Sequence, residues 1–134
     1  MLKIPAKIYE EVIAHATADF PLECCGIIGG QGDELTHSYR IKNIDESKVT
    51  YLMDPKEQIR VFKEMRNLGV DLRAIYHSHP NHPAYPSQTD VRLAYYPEAF
   101  YIIISINDKK ETEVRGFRIL DKVITETVID ITRE

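Results

Sequence analysis

The sequence predicts a single α/β (α+β) domain, residues 1–134, in which a mixed β-sheet is flanked by helices. Three observations point there. A length of 134 residues suits one hydrophobic core. Two amphipathic helical segments carry start and stop signals, and β-branched apolar runs lie between and after them. Hydrophobic residues are 43% of the chain and charged residues 28%, ordinary for a globular protein, and a formal net charge of -4 offers no basic surface for nucleic acid. No internal repeat or low-complexity linker interrupts the pattern.

Taken in order, Ile4, Ile8, Val12, Ile13 and Ala16 recur at helical spacing, and Pro5 suits a first turn, so residues 5–19 read as a helix ended by Phe20-Pro21. The run from Cys24 to Gly29, the segment Gly30-Gln31-Gly32-Asp33 and the run from Leu35 to Ile41 read as a hairpin with turn glycines. Asp54 as N-cap, Pro55 at N1 and Gly69 as a stop bound a second helix. Asp71 to His79 reads as a strand that Pro80 cannot continue, since proline lacks the N–H a ladder needs. Residues 80–87 hold three prolines and form a rigid loop, and Ser87 to Tyr95 follows as a short helix. Phe100 to Ile106, Val114 to Leu120 and Val123 to Ile129 are the remaining strands, the last two joined at Asp121-Lys122.

Cys24 and Cys25 are the only cysteines and are adjacent, a geometry that strains a disulfide, so they are expected as core packing rather than as a framework or a nucleophile. The N-terminus lacks an apolar signal core, and the longest apolar stretch, Ala99 to Ile104, is too short to cross a bilayer. The expected location is the cytoplasm, without membrane partners. Gly26, Gly29, Gly30 and Gly32 match no nucleotide-binding fingerprint and are expected mostly in turns.

Chemistry concentrates between residues 77 and 90. Side chains of a strand alternate faces, so His77 and His79 project to one side and Ser78 to the other. On a helix the same spacing would turn the two imidazoles about 200° apart, so the His-x-His pair suits a metal only in extended chain. The proline loop returns the chain, and Asp90 in the first turn of the next helix supplies a third ligand. Two neutral histidines and one carboxylate leave a four-coordinate zinc with one open position, the arrangement of catalytic rather than structural sites. Such a zinc lowers the pKa of a bound water toward about 7, but a nearby base must take the proton, and Glu23 is the candidate. Burial and the charge of the metal act on Glu23 in opposite directions, which leaves the sign of its pKa shift open.

Each part has a plainer reading. A histidine at a strand end is commonly a half-buried polar residue with one hydrogen bond. Ser87-x-x-Asp90 after a proline is also a capping-box pattern, and Asp90 is expected to cap only by turning away from a metal. The joint occurrence of both pairs at the required spacing, with Glu23 upstream, favours the metal. His82 lies in the same loop, in a position to meet substrate, whereas His15 and His37 fit no pattern and are expected at the surface. Tyr85 is a candidate for lining a groove. A zinc nucleobase deaminase is excluded, since His-x-Glu and Pro-Cys-x-x-Cys are both missing.

His77-Ser78-His79, seven residues, then Ser87-Gln88-Thr89-Asp90, with Glu23 upstream in Pro21-Leu22-Glu23-Cys24-Cys25-Gly26, resembles the signature of the JAMM (MPN-plus) zinc metalloproteases, of the small standalone prokaryotic type. The resemblance spans roughly Pro5 to Gly116. It implies a curved mixed sheet of the cytidine deaminase-like/MPN architecture and one Zn2+ per chain held by His77, His79 and Asp90. It also implies Glu23 as general acid/base and Ser87 as stabiliser of the tetrahedral intermediate. The implied reaction is hydrolysis of a peptide or isopeptide bond after the C-terminal Gly-Gly of a ubiquitin-like or sulfur-carrier protein, with a homodimer allowed. The non-enzymatic alternative is a catalytically silent MPN-type scaffold that binds protein, although such scaffolds lack the ligand set retained here.

Overall fold

The structure, a computed structural model, describes residues 1–133. Its elements run β1 (Leu2–Pro5), α1 (Ala6–Asp19), β2 (Cys25–Gln31), β3 (Glu34–Ile41), α2 (Pro55–Leu68), β4 (Asp71–Pro80), α3 (Gln88–Arg92), β5 (Phe100–Ile106), β6 (Thr112–Leu120), β7 (Val123–Thr127) and β8 (Ile129–Thr132). Six strands form one mixed sheet in the order β3-β2-β4-β5-β6-β7, and β1 and β8 form a second sheet of two. Within the large sheet the β4–β5 pair is parallel and the other neighbours are antiparallel. The pairing of β2 shifts register around Gly29 against both of its neighbours, irregularities that bend a strand.

Period-two alternation sorts the side chains of this sheet onto two buried faces. Cys24, Ile28, Ala74, Tyr76, Ile102 and Ile104 face α1 and β1 and meet Ile4, Ile8, Val12 and Ala16. Cys25, Ile27, Ile41, Ile75, Tyr101 and Ile119 face the other way and meet Val61 and Met65 of α2. The adjacent cysteines therefore fill two different layers of the core, and both are free thiols with no exposed surface. Burial pushes the Cys24 thiol up to about 12, which removes it as a nucleophile at neutral pH.

The second helix keeps its expected bounds, because Asp54 accepts from the Lys56 N–H and Gly69 closes the segment at φ 72°, a backbone that glycine adopts without strain. Elsewhere the boundaries move. Pro5 is the N-cap of α1 rather than its first turn, since residues 2–5 are drawn into a strand by parallel pairing with β8. That pairing also divides the expected strand 123–129: β7 ends at Thr127, and beyond the exposed Val128 the chain joins β1. Pro80 does end β4 but belongs to it, opposite Ile106; its absent N–H costs nothing because β2 has already diverged at this level, with Cys25 opposite His77. The third helix stops at Arg92, short of Tyr95, because Pro97 disfavours helical backbone in the residue before it and the chain must turn into β5.

Among the hairpin glycines, Gly32 alone occupies a left-handed turn, at φ 57°. Gly26 instead makes room: it sits opposite Tyr76, and a Cβ there would lie inside the phenol ring. That ring is fully buried and its hydroxyl is tied to His15 Nδ1 at 2.7 Å, so it has little freedom to swing aside. Gly26→Ala is expected to cost about 1–3 kcal/mol, as overpacked cores do. A guanidinium melt with an unshifted midpoint would show that the ring yields.

Candidate metal centre

His77 and His79 lie on the C-terminal end of β4, on the α2 face of the sheet but beyond the reach of α2 itself. Their alternation is as expected: Ser78 turns to the opposite face and accepts the Cys24 N–H at 2.8 Å, while the two Nε2 atoms lie 3.0 Å apart. Both rings are 1% exposed. Tyr51 stacks on His77 with ring centroids 4.6 Å apart, and His82 stacks on His79 at 4.2 Å. Strand and flanking rings together hold each imidazole in one orientation.

The proline loop brings Asp90 to the same point. Its Oδ2 lies 3.1 Å from His77 Nε2 and 3.0 Å from His79 Nε2. The capping box is also formed: the Asp90 N–H donates to Ser87 Oγ at 3.0 Å, and the Ser87 N–H donates to the same Oδ2 at 2.9 Å. The expected competition between capping and metal binding is thus overturned. A carboxylate oxygen has two lone pairs, so one can accept from the backbone while the other faces the histidines. Ser87 Oγ acts as acceptor in the cap, which leaves its O–H free to donate elsewhere.

Protonation can be argued from the partners. His79 Nδ1 lies 2.7 Å from the Pro83 carbonyl, which only accepts, so Nδ1 carries a proton and Nε2 is the nitrogen turned toward Asp90. Burial pushes the Asp90 carboxyl up, but the bonds to His77 and His79 outweigh it and hold the group well below the usual carboxylate range. Burial drives His77 toward its neutral form against the pull of Asp90. Three ligand atoms with edges of 3.0–3.1 Å therefore surround one point. A tetrahedral zinc with bonds of about 2.0–2.1 Å sets its ligands about 3.3 Å apart, so small movements would accommodate it.

Glu23, just before β2, approaches from the neighbouring strand. Its side chain is 2% exposed, Oε1 has no hydrogen-bond partner among the described residues, and Oε2 lies 3.9 Å from His82 Nε2. Burial and then the charge of Asp90 push its carboxyl up to about 8, which settles the open sign for the protein without a cation. The backbone of Glu23 is clamped by a loop that the sequence reading passed over: its N–H donates to Ser47 O at 2.8 Å, and Asn43 Nδ2 donates to its carbonyl at 3.0 Å. Asn43 also caps Thr50 O and accepts from the N–H groups of Asp45 and Leu52, which fixes the approach of Tyr51 to His77. A lone asparagine in a polar stretch carries no periodicity, so no sequence signal marks it.

Two other expectations meet the structure differently. His15 is buried rather than at the surface, bridging Tyr76 O–H and Asp19 Oδ2, the latter at 3.2 Å from Nε2. It occupies the inner face of α1, where its spacing from Val12 and Ala16 could have placed it. Tyr85 is half-exposed against Phe117 at the outer edge of the proline loop.

Residues 5–120 match the family model described as prokaryotic homologs of the JAB domain. The chain is 35% identical to the CysO-cysteine peptidase of Mycobacterium tuberculosis over 136 aligned positions, covering 100% of this chain and 93% of that protein. It is 32% identical to the desampylase of Haloferax volcanii, over 78% of this chain and 80% of that one. Among solved structures, a Desulfitobacterium hafniense protein superposes with a TM-score of 0.88 at 36% identity, covering 100% of this chain and 94% of that chain. A JAB1/MPN domain protein from Archaeoglobus fulgidus superposes at 0.65 and 14% identity, over 98% and 97% of the two chains, and shares the fold.

The raised proton affinity of Glu23 has a measurable sign. Between about pH 4.5, its ordinary value, and about 8, the folded metal-free chain holds a proton that the unfolded chain has lost, so its contribution to stability falls as pH rises. Chelator-treated Glu23→Gln is therefore expected to gain stability relative to the parent as pH climbs through that window. Parallel stability-against-pH curves for the two proteins would show that Glu23 titrates normally.

Proposed function

The chain belongs to the prokaryotic JAB-domain family, of JAMM/MPN type, and from that premise we propose a zinc-dependent isopeptidase in which His77, His79 and Asp90 bind the ion and Glu23 and Ser87 act on the scissile bond. The hydrolase is one of peptide or isopeptide bonds, in keeping with the peptidase and desampylase among its relatives. The observation that carries the zinc reading is the Pro83 carbonyl on His79 Nδ1. It assigns a proton to Nδ1 and turns Nε2 to a carboxylate oxygen at 3.0 Å, a contact that a proton holds together in the metal-free protein and that a cation can bridge in its place. Three ligands of the N, N and O type that leave a fourth position open suit a catalytic zinc.

When bound, zinc would supply an acidified water and a polarised carbonyl. The remaining work falls to side chains of this chain. Glu23, buried and without a donor on Oε1 among the described residues, is suited to take the proton of the attacking water and return it to the leaving amine, because a bound zinc would offset the burial and the Asp90 charge that keep it protonated in the metal-free protein. Ser87, whose Oγ accepts from the Asp90 N–H, keeps a hydroxyl proton to donate to the oxyanion that forms from the carbonyl. Asp19 is engaged by His15 and Cys24 is inert, so neither competes for these roles.

For the substrate we take a ubiquitin-like or sulfur-carrier protein joined through its C-terminal Gly-Gly to an amine. The name of the mycobacterial relative supports an amino-acid leaving group, and that of the archaeal relative supports a protein conjugate. The silent-scaffold reading has no observation in its favour, since the whole ligand set converges.

The purified protein is expected to carry about one zinc per chain and to lose it on His77→Ala, His79→Ala or Asp90→Ala substitution, read by elemental analysis. Carrier proteins extended beyond Gly-Gly should be cleaved by the parent, and chelator should abolish cleavage. Glu23→Gln should keep the zinc while turnover falls by about 100-fold or more. A zinc-loaded Glu23→Gln protein with undiminished turnover would assign the proton transfer to another group, and a metal-free parent that still cleaves would remove the zinc from the mechanism.

A further inference from the structure

We propose that Glu23 and His82 form a second, weaker cation site beside the His77, His79 and Asp90 centre, and that a zinc ion bound there silences the enzyme. The inference rests on the zinc reading above, because the second ion takes away the base that serves the first.

His82 is oriented by its own loop. Its Nδ1 lies 2.8 Å from the carbonyl of Pro80, and a carbonyl only accepts, so Nδ1 carries the proton and Nε2 presents a lone pair. The same device prepares His79 through Pro83. In His82 the lone pair is turned toward Glu23, with Nε2 and Oε2 3.9 Å apart. That is too long for a hydrogen bond and longer than the about 3.3 Å between two ligands on a tetrahedral zinc, a gap that small side-chain movements would close. Stacking on His79 at 4.2 Å fixes the ring. Glu23, His79 and His82 each offer a ligand atom within 4.8 Å of the others.

Glu23 adds the second half. A carboxylate that is 2% exposed and whose Oε1 has no donor among the described residues lacks the hydrogen bonds that normally compensate burial. A cation would provide that compensation. Since His79 Nε2 already faces Asp90, the second ion has two firm protein ligands and must complete its shell with solvent, which makes it the weaker site. The His82 side chain is 34% exposed, so the ion has a path from water. Imidazole nitrogen with carboxylate oxygen suits zinc better than magnesium or calcium, which prefer oxygen alone. Once Glu23 coordinates an ion, the positive charge of that ion makes the carboxylate a poor acceptor for the proton of the attacking water.

Equilibrium dialysis of the untagged protein against rising free zinc, with cleavage measured on the same samples, tests the proposal. The parent is expected to take up about two zinc ions per chain in two steps, with cleavage falling as the second fills. His82→Asn and Glu23→Gln are each expected to stop at about one, and cleavage by His82→Asn should no longer fall with excess zinc. A parent that saturates at one zinc overturns the second site while leaving the first intact. A second equivalent that persists in both variants places the ion elsewhere and overturns it equally. A parent that binds no zinc overturns the first centre along with the second.

Discussion

β4 must stay extended through His79, and most of the molecule serves that requirement. The strand is antiparallel to β2 along Asp71 to His77 and parallel to β5 along Ala74 to Pro80, so its last residues are held by β5 after β2 has left. The departure of β2 opens the space that Glu23 enters from one side and Tyr51 from another. The extended backbone, rather than any particular contact, turns both imidazoles to one face, and a helical turn at this point would separate them. The two core layers, with α1 on one face and α2 on the other, keep the sheet from relaxing around the site.

Asp90 shows how little machinery is needed to bring a third group to that face. One carboxylate oxygen accepts the Ser87 N–H and meets both imidazoles, so the geometry of the cap is what presents Asp90 to the histidines. A five-residue helix has almost no intrinsic stability, and the box at its start is what orders it. Charge works in the same direction, since a carboxylate in the first helical turn is favoured by the backbone dipoles. Folding of the loop and formation of the site are therefore one event. Replacing Asp90 removes both the proposed ligand and a cap, whereas Ser87→Ala removes only one of the two cap bonds, and the Ser87 N–H remains to orient the carboxylate.

Much of this was legible in the residues. The bounds of α2 follow from Asp54, Pro55 and Gly69, which act locally, and β5 matches its apolar run from Phe100 to Ile106. The His-x-His inference needs only the strand period. What could not be read depends on partners distant in the chain. Ile4 satisfies helical spacing with Ile8 and strand alternation with Leu2 equally well, and only pairing with β8 decides between them. From Val123 to Ile131 the chain stays rich in β-branched residues and holds neither glycine nor proline, so the change of sheet at Val128 has no turn signal to mark it. Gly26 reads as a turn glycine until Tyr76 is found filling the space above it. The supports of Glu23, Asn43 and the 43–52 loop, are hydrogen bonds between main chain and side chain that leave no pattern in a sequence.

The sign left open for Glu23 ties these threads together. Without a cation, burial and Asp90 both favour the protonated acid, and nothing in the surrounding chain offers a donor to offset them. A divalent ion held by His77, His79 and Asp90 would reverse the local field, because its charge exceeds that of the single carboxylate beside it. The same Glu23 would then be a proton donor in the apo protein and an acceptor in the loaded one. Such a residue cannot be replaced by one that is well solvated, since water would screen both influences and leave an ordinary glutamate. Because no donor among the described residues reaches Oε1, the charge beside Glu23 would decide when it can accept a proton, and a bound metal would supply that charge.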